Sequence, residues 1–263
     1  MELAGRFAGR AAIITGAATG GLGEAYARAL AAGGASVVVS DIRRPQVEAT
    51  AEGIAAAGGE ALALGVDVTD EASVDAMVRR TIERFGRIDI LINNAAVMFR
   101  SLDEPRTAFW ELPLAEFELV QRVNVTGSWL CAKAVFGPMR HQGSGKIVNV
   151  SSNMALGTDL MWPAQMAAYT TSKAGVIGLT RSLAGEAGPH GVNVNAVAPG
   201  VTNTETVAEH VDPDRMETLA QSQALRRQAW PDDIVGTVMF LCSSDSDFMT
   251  GQVLCVDGGF IAN

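Results

Sequence analysis

A tyrosine and a lysine near residue 170 have the types and spacing of an acid–base pair. They are Tyr169 and Lys173 in the segment YTTSK, and on a helix the i, i+4 spacing places both on one face. A free tyrosine has a pKa of about 10, and a neighbouring ammonium favours loss of its proton. By itself, the spacing is more often that of an ordinary helix with one aromatic side chain and one solvated lysine.

The length fits one large α/β domain or two small ones, and because no linker or internal repeat divides the chain, residues 1–263 are predicted to form one domain, with 48% hydrophobic residues and 28 glycines to build its core and turns. A net charge of −9 and the lack of a basic run argue against a nucleic-acid partner. Three distant cysteines without CxxC spacing indicate neither a disulfide framework nor a metal site: Cys131, Cys242 and Cys255. The lack of a signal-peptide core or a spanning apolar run predicts a cytoplasmic protein with no membrane partner.

The first 40 residues have the pattern of a dinucleotide-binding βαβ unit. An apolar run, AAIIT, precedes the glycine-rich segment TGAATGGLG, and a helical pattern and a second apolar run, ASVVVS, follow. Glycines in such a turn let a pyrophosphate approach the backbone, and the helix N-terminus stabilises its charge. The candidate cofactor residues in this turn are Gly16, Thr19, Gly20, Gly21, Leu22 and Gly23.

The acidic residue that closes the second strand predicts which dinucleotide binds. Asp41 lies 25 residues after Gly16, and its carboxylate would accept from both ribose hydroxyls of NAD while repelling the 2′-phosphate of NADP. Arg43 and Arg44 follow, and they would either compensate a phosphate or be simply solvated. The sequence therefore favours NAD over NADP, with Ile42 beside the same ribose.

Strands and helices continue to alternate to the end of the chain. This pattern predicts a doubly wound parallel sheet of about seven strands, a Rossmann fold of the α/β class, with ligands at the carboxyl ends of the strands. Asp67 ends the third strand, where it would contact an adenine edge or cap the next helix. The expected helices are 45–57, 71–85, 115–139, 164–187 and 231–241, the later strands are 145–152, 191–198 and 252–256, and residues 201–230 form a mobile helical lid.

Asn124 falls inside the expected helix 115–139, where asparagine is a poor helix former. Two interpretations are open. One is a polar contact in the core, and the other is a helix distortion whose freed carbonyl holds a water.

Six motifs in order closely resemble the short-chain dehydrogenase/reductase family along nearly the full length: TGAATGGLG, NNAA, NVTG, the pair Ser151-Ser152, YTTSK and APGVTNT. The resemblance implies that Ser152 holds the substrate oxygen and that Tyr169 transfers the proton. It implies that Lys173 binds the nicotinamide ribose and lowers the tyrosine pKa, and that Asn124 positions a relay water. No metal is implied. The remaining implied cofactor residues are Asp67, Val68, Asn94, Ala95, Ala96, Pro199, Gly200, Thr202 and Thr204.

The sequence departs from the family pattern at places that border the ligands. The glycine turn is one residue longer than usual, which leaves open whether Gly20 or Gly21 makes the tight approach, and NNAA replaces NNAG. The interval from Ser152 to Tyr169 is 17 residues, longer than usual. Substrate loops are expected at 97–112, 153–163 and 201–225. Apolar residues in the second suggest an apolar, cyclic or aromatic substrate, or pack the loop: Leu156, Leu160, Met161 and Trp162.

The resemblance predicts an NAD-dependent enzyme that interconverts a secondary alcohol and a ketone. One alternative is a 3-oxoacyl thioester reductase that uses NADPH, against which Asp41 and the acidic charge argue. An alternative of another class is a non-catalytic NAD(H)-binding regulatory protein, although a binder has no need of a proton donor beside the nicotinamide. Resemblance also suggests a homotetramer or homodimer.

Overall fold

Seven parallel strands form one sheet in the computed structural model, which describes residues 4–98, 108–157 and 166–261. The strand order is β3-β2-β1-β4-β5-β6-β7, as a doubly wound Rossmann fold requires. The strand order reverses between β1 and β4, which opens a crevice at their carboxyl ends. The strands are β1 Ala11–Thr15, β2 Ser36–Asp41, β3 Glu60–Gly65, β4 Ile90–Asn93, β5 Gly145–Val150, β6 Val192–Pro199 and β7 Val253–Val256.

Helices cover both faces of the sheet because the central strands are apolar on both sides. One core contains Leu30, Ile54 and Val238, and the other contains Met77 and Val135. The helices are α1 Leu22–Ala32, α2 Arg44–Ala56, α3 Glu71–Phe85, α4 Leu114–Gln121, α5 Gly127–Gln142, α6 Ala167–Ala187, α7 Glu205–His210, α8 Pro213–Ser222 and α9 Pro231–Cys242. Of the described helices, none combines the length and apolar character that crossing a membrane demands.

The expected helix 115–139 is divided into three parts. A π-helical segment, Arg122–Thr126, separates α4 from α5 and contains Asn124. The predicted helix distortion is therefore present, and a continuous helix was the wrong expectation. The extra residue per turn of a π-segment rotates Asn124 inward, where its side chain is buried.

The other expected elements differ less from the structure. The helix expected from residue 164 begins at Ala167. Within the predicted lid, α7 and α8 are helical, but Thr202 also pairs with Ala229 in an isolated parallel bridge. Parts of two predicted substrate loops, including Leu160, Met161 and Trp162, lie outside the described residues.

Candidate active site

The glycine-rich turn between β1 and α1 packs so closely that two of its glycines leave no room for a side chain. A Cβ on Gly16 would lie 2.6 Å from the Ala95 Cα, and one on Gly23 would collide with the Gly16 carbonyl. Gly20 has φ +83°, whereas Gly21 is the N-cap of α1, where an added Cβ would meet only the Ala18 carbonyl oxygen, at 3.9 Å. The left-handed conformation of the longer turn therefore belongs to Gly20, and which glycine the cofactor approaches stays a prediction.

No side chain caps the N-terminus of α1, so its leading N–H groups are available to an anion. Gly20 is different, because its N–H donates to the carboxylate of Glu24 at 2.7 Å. Thr19 and Leu22 lie on either side of these glycines and are partly exposed. The absence of side chains at the turn and the uncapped helix together fit a dinucleotide pyrophosphate.

Asn94 supports the glycine turn from β4. Its side-chain amide donates to the carbonyl oxygens of Thr15 and Gly16 at 3.1 and 2.8 Å. In return, the Thr15 hydroxyl accepts from the N–H groups of Asn94 and Ala95, both at 3.1 Å. Of the NNAA residues, Asn94 thus holds the turn itself, and Ala96 is exposed beside it.

Asp41 lies at the carboxyl end of β2, where its carboxylate is buried and already has a partner. The Arg43 guanidinium lies against both carboxylate oxygens, with Nε 3.1 Å from Oδ1 and Nη2 3.3 Å from Oδ2. Arg44 instead pairs with Glu48 on the exposed face of α2. Of the two arginines, Arg43 is therefore the one that contacts Asp41, and Ile42, which lies between Asp41 and Arg43, is exposed.

Asp67 forms a turn with Thr69 and does not cap the next helix, so the helix-cap interpretation of this residue was wrong. Its Oδ1 accepts from both the N–H and the hydroxyl of Thr69 at 2.8 Å, while Asp70 caps α3. Val68 between them is buried, and a Cβ on Gly127 would lie 2.7 Å from its Cγ2. An adenine contact from Asp67 stays a prediction.

The catalytic candidates meet where β5 ends and α6 begins. The side-chain hydroxyls of Tyr169 and Ser152 share a hydrogen bond. The Lys173 ammonium donates to the Val150 carbonyl at 2.8 Å and lies 5.6 Å from the centre of the Tyr169 ring. Ser151, the first residue of the serine pair, donates its hydroxyl to the Lys173 carbonyl at 2.8 Å, which fixes α6 against the strand.

Burial shifts the pKa values of this pair in opposite directions. Desolvation raises the pKa of Tyr169 to about 12, and the Ser152 hydrogen bond only partly opposes it. Desolvation also lowers the pKa of Lys173 to about 8. In the chain alone, the Tyr169 pKa thus moves opposite to the lowering that the resemblance implies, because burial outweighs the hydrogen bond from Ser152. At neutral pH the phenol holds its proton.

The comparisons with known proteins agree with this geometry. A family model described as Enoyl-(Acyl carrier protein) reductase matches residues 16–261. The chain is 41% identical to (2S)-[(R)-hydroxy(phenyl)methyl]succinyl-CoA dehydrogenase subunit BbsD of Thauera aromatica, over 95% of this chain and 96% of that protein. It is 40% identical to cis-4-hydroxycyclohexanecarboxylate dehydrogenase of Sinomonas cyclohexanicum, over 97% of this chain and 98% of that protein. The chain belongs to the short-chain dehydrogenase/reductase family.

A solved structure extends the likeness to three dimensions. A 7α-hydroxysteroid dehydrogenase in complex with NADH and 7-oxo glycochenodeoxycholic acid superimposes with a TM-score of 0.90. The two chains are 32% identical, and the match covers 99% of this short-chain dehydrogenase/reductase and 98% of the 7α-hydroxysteroid dehydrogenase chain. The shared fold therefore includes the segments on which the site is built.

Asn124 connects the loop after β4 to α6 in this short-chain dehydrogenase/reductase. Its side chain accepts from the Val97 N–H at 2.8 Å and donates to the Val97 carbonyl and the Ser172 hydroxyl, both at 2.9 Å. Its own carbonyl accepts from the Ser128 hydroxyl at 2.8 Å. The polar contact and the helix distortion of the two sequence interpretations are therefore both present. The Asn124 carbonyl has a second lone pair that can accept from a water, and the relay water itself stays a prediction.

The segment after β6 links the glycine-rich turn to α7. Thr202 is buried and donates to the Gly200 carbonyl, whereas the Thr204 hydroxyl caps α7 by accepting from the Val207 N–H at 3.2 Å. The next residue, Glu205, donates its N–H to the Gly20 carbonyl at 3.1 Å. Sequence reasoning missed Glu205. Its position directly after the APGVTNT motif was the available signal.

An open cleft of about 610 Å³ adjoins this contact between the glycine turn and the lid. Trp230 and Pro231 at the start of α9 line it together with Asn203 and Ala208. Because the cleft extends from the glycine turn, it fits the neighbourhood of a bound pyrophosphate.

Sequence reasoning also missed the segment after β7, which reaches Asn153, the residue after Ser152. The buried Asp257 accepts a hydrogen bond from the side chain of Asn153, the residue after Ser152. The signal was the polar triplet Asp257-Gly258-Gly259 that ends the last apolar strand, the same arrangement that marked Asp41 and Asp67.

Proposed function

We propose that the protein is an NAD(H)-dependent oxidoreductase that interconverts a secondary alcohol and the corresponding ketone. The observation that carries the proposal is the hydrogen-bonded hydroxyl pair of Ser152 and Tyr169 beside the buried Lys173. A carbonyl gains negative charge on its oxygen when it accepts a hydride, and two hydroxyl donors aimed at that oxygen stabilise the transition state.

Each of these side chains has a distinct task in the proposed reaction. Ser152 donates a hydrogen bond to the substrate oxygen, and Tyr169 gives the oxygen its proton in reduction or takes it in oxidation. Lys173 holds the nicotinamide ribose, and its charge favours the phenolate when Tyr169 acts as the base. The nicotinamide supplies or accepts the hydride when it is bound.

A protonated phenol suits the reductive direction at neutral pH. Because burial raises the Tyr169 pKa to about 12, its proton is retained until the substrate oxygen becomes basic. In the oxidative direction the same pKa makes alkaline pH favourable, but the Lys173 pKa is lowered to about 8 and its charge is lost above that pH, so alcohol oxidation is expected to accelerate only as pH rises from 7 to about 8.

Two observations support NAD as the cofactor. The Asp41 carboxylate lies at the end of β2, where it suits a ribose diol. The related 7α-hydroxysteroid dehydrogenase was solved with NADH. Arg43 moderates this preference because it offsets the carboxylate charge.

The relatives favour a ring-bearing substrate. One is named for a hydroxycyclohexanecarboxylate, one for a hydroxy(phenyl)methyl group, and the solved neighbour holds a steroid. Cyclic secondary alcohols are therefore the first substrates to test, and an apolar pocket with few polar contacts would accept them. Leu156 is the one described member of the apolar set predicted for the loop.

The test replaces Tyr169 with phenylalanine and measures NAD⁺ reduction with a panel of cyclic secondary alcohols. We expect Tyr169→Phe to lower kcat/KM about 10³-fold while NADH still binds, because only the proton carrier is lost. Tyr26→Phe is the matched control, since Tyr26 is also buried and its hydroxyl has no partner among the described residues. Turnover by Tyr169→Phe close to that of the wild type would contradict the mechanism.

The same assays separate the alternative functions. A higher kcat/KM with NADPH than with NADH on a 3-oxoacyl thioester would favour the thioester reductase. NADH binding without turnover of any alcohol or ketone would favour a non-catalytic regulatory protein.

A further inference from the structure

Asp257 is a buried carboxylate at the carboxyl end of β7 whose oxygens are fully used by neutral donors. Its Oδ1 accepts from the N–H groups of Gly259 at 3.0 Å and Phe260 at 3.3 Å. Its Oδ2 accepts from the N–H of Ile261 at 3.0 Å and from the side-chain amide of Asn153 at 3.2 Å. One carboxylate thus joins the C-terminal turn to a residue on the far side of β6.

Asn153 is the residue through which this contact reaches the catalytic site. It follows Ser152 directly and is itself buried. Its carbonyl accepts from the N–H groups of Leu156 and Gly157 at 2.9 and 3.2 Å. The Ser152 hydroxyl oxygen, in turn, accepts from the Met154 N–H at 3.3 Å. The position of Asn153 therefore determines the geometry of the turn that carries Ser152.

The C-terminal turn also packs on the other end of the Ser152 turn. A Cβ on Gly157 would lie 3.5 Å from the Cγ2 of Ile261, which places the isoleucine side chain over this glycine. The N–H of Ile261 is one of the four donors to Asp257. Asp257 thus fixes the Ser152 turn at Asn153 directly and at Gly157 through the C-terminal turn.

The cofactor segment touches the same residue. A Cβ on Gly200 would lie 2.8 Å from the Cβ of Asp257, and the Gly200 N–H donates to the Val256 carbonyl at 2.9 Å. Asp257 is therefore in contact with the segment predicted to hold the nicotinamide end and with the turn predicted to hold the substrate oxygen.

We propose that Asp257 is a positioning residue that sets the Ser152 turn relative to the cofactor segment, acting through Asn153 and the C-terminal turn. The proposal rests on the proposed function, since it assigns the substrate-oxygen donor to Ser152. The physical basis is the acceptor capacity of a carboxylate. Its two oxygens accept all four bonds, whereas an amide in the same place presents an NH₂ group to one pair of donors.

Sheet formation does not account for this arrangement. β7 pairs with β6 through backbone bonds from Val253 to Val256, which end before Asp257. The four N–H donors to its carboxylate lie outside the strands, and the Cys255 thiol of β7 also hydrogen-bonds to it. The contacts thus connect loops at the ligand edge, where placement matters more for the reaction than for the sheet.

The experiment compares Asp257→Asn with Asp89→Asn in the full chain. Asp89 is the matched control because it is a buried carboxylate at the opposite edge of the sheet, where it accepts from the Ala11 N–H at 2.8 Å and from Arg87. The readouts are kcat and KM for a cyclic secondary alcohol with NAD⁺, the NADH Kd by fluorescence, and the Tm. Asn153→Ala is measured in parallel, since it removes the link to the turn but leaves Asp257 bonded to the C-terminal turn.

We expect Asp257→Asn to lower kcat/KM at least 10-fold while the NADH Kd stays within twofold, because the Cβ against which Gly200 packs is retained. Asn153→Ala shows the same split, and Asp89→Asn lowers the Tm without changing kcat/KM. Wild-type kcat/KM in both Asp257→Asn and Asn153→Ala overturns the proposal. A fall in the kcat/KM of Asp257→Asn that is matched by an equal fall in its Tm and its NADH affinity also overturns the proposal. Should Asp257→Asn not fold, Asn153→Ala alone decides.

Amide hydrogen exchange separates this proposal from the proposed function. Faster exchange of residues 153–157 in Asp257→Asn, with β5 still protected, supports the positioning contact even if the wild type oxidises no alcohol, a result that would sink only the assigned reaction. Unchanged exchange in this segment overturns the positioning contact whatever the activity.

Discussion

At the amino edge of the sheet the buried charges have counter-ions, whereas at the carboxyl edge most have only neutral partners. Asp89 precedes β4 and forms a two-point ion pair with Arg87, with distances of 2.7 and 2.6 Å. Lys146, near the start of β5, lies 2.7 Å from the carboxylate of Asp247. These charges are neutralised within the protein, so they exert little potential on a ligand.

The carboxyl edge holds one buried cation and one buried anion without such neutralisation. Lys173 donates to the Val150 carbonyl, and Asp257 accepts from N–H groups. Neither forms an ion pair with any residue in the part of the chain that the structure describes. The Lys173 charge is thus kept at a cost in desolvation, which is why burial lowers its pKa to about 8.

The difference indicates what each edge contributes. Ion pairs at the amino edge hold the strand ends, whereas an unneutralised charge at the carboxyl edge is left to act on a cofactor or a reacting oxygen. Such a charge lowers stability, as active-site charges commonly do. Replacing one matched residue at each edge tests this view.

The sharpest test replaces one buried lysine at each edge with methionine, which has a similar length and no charge. We expect Lys173→Met to lower kcat/KM for alcohol oxidation about 10³-fold, because both the ribose donor and the positive charge beside Tyr169 are lost. Lys146→Met should leave kcat/KM within about twofold while it destabilises the fold by about 1–3 kcal/mol, since the bond to Asn193 at 2.9 Å is lost. A large loss of activity in Lys146→Met with the fold intact would break the comparison.

The wild type and Lys173→Met should also differ in how their stability depends on pH. The folded-state pKa of Lys173 is lowered from 10.5 to about 8, so folding favours the neutral amine. Burying the neutral amine instead of the ammonium favours the folded state by on the order of 3 kcal/mol. This gain is fully present above pH 10.5 and is lost as the pH falls to 8. We therefore expect the free energy of unfolding of the wild type, relative to that of Lys173→Met, to rise between pH 8 and pH 10.5.

Urea titrations at several pH values measure this difference, and the ionisation of the cysteines and of Tyr26 cancels because both proteins share these groups. Below pH 8, Lys173→Met should be at least as stable as the wild type, since it buries no ammonium. A pH-independent difference would show that the Lys173 ammonium is not desolvated in the folded protein.

The sequence predicted the sheet and the proximity of the candidate catalytic side chains because both depend on local patterns. Apolar runs identified all seven strands, and motif order placed Ser152 and Tyr169 near each other across the end of β5. Contacts between distant segments had no such pattern. The bond from Asp257 to Asn153 spans 104 positions, so no spacing rule indicated it.

Side-chain partners were likewise not available from the sequence. The i, i+4 spacing of Tyr169 and Lys173 indicated an ammonium beside a phenol, but the degree of burial that raises the tyrosine pKa depends on the packing of β5 and α6. The oligomeric state and the cytoplasmic location remain predictions, because both concern the molecule's surroundings and not the chain itself.

Asp41 is the exception at the carboxyl edge because Arg43 supplies a counter-ion there. Removing this counter-ion gives the smallest of the expected effects. The Arg43 side chain is 55% exposed, so the ion pair is worth on the order of 1 kcal/mol or less. Ribose hydroxyls must compete with Arg43 for the same carboxylate oxygens. Removing the guanidinium in Arg43→Ala should therefore tighten NADH binding about two- to fivefold.

NADPH should respond in the opposite direction, because its 2′-phosphate would lose a cation and meet an uncompensated Asp41. We expect its Kd to rise about fivefold in Arg43→Ala, measured by fluorescence titration beside NADH. Arg44→Ala is the matched control, since Arg44 pairs with Glu48 on the exposed face of α2 and should change neither Kd by more than about twofold. Equal weakening of both cofactors by Arg43→Ala would show that Arg43 serves the fold at this edge as Arg87 does at the other.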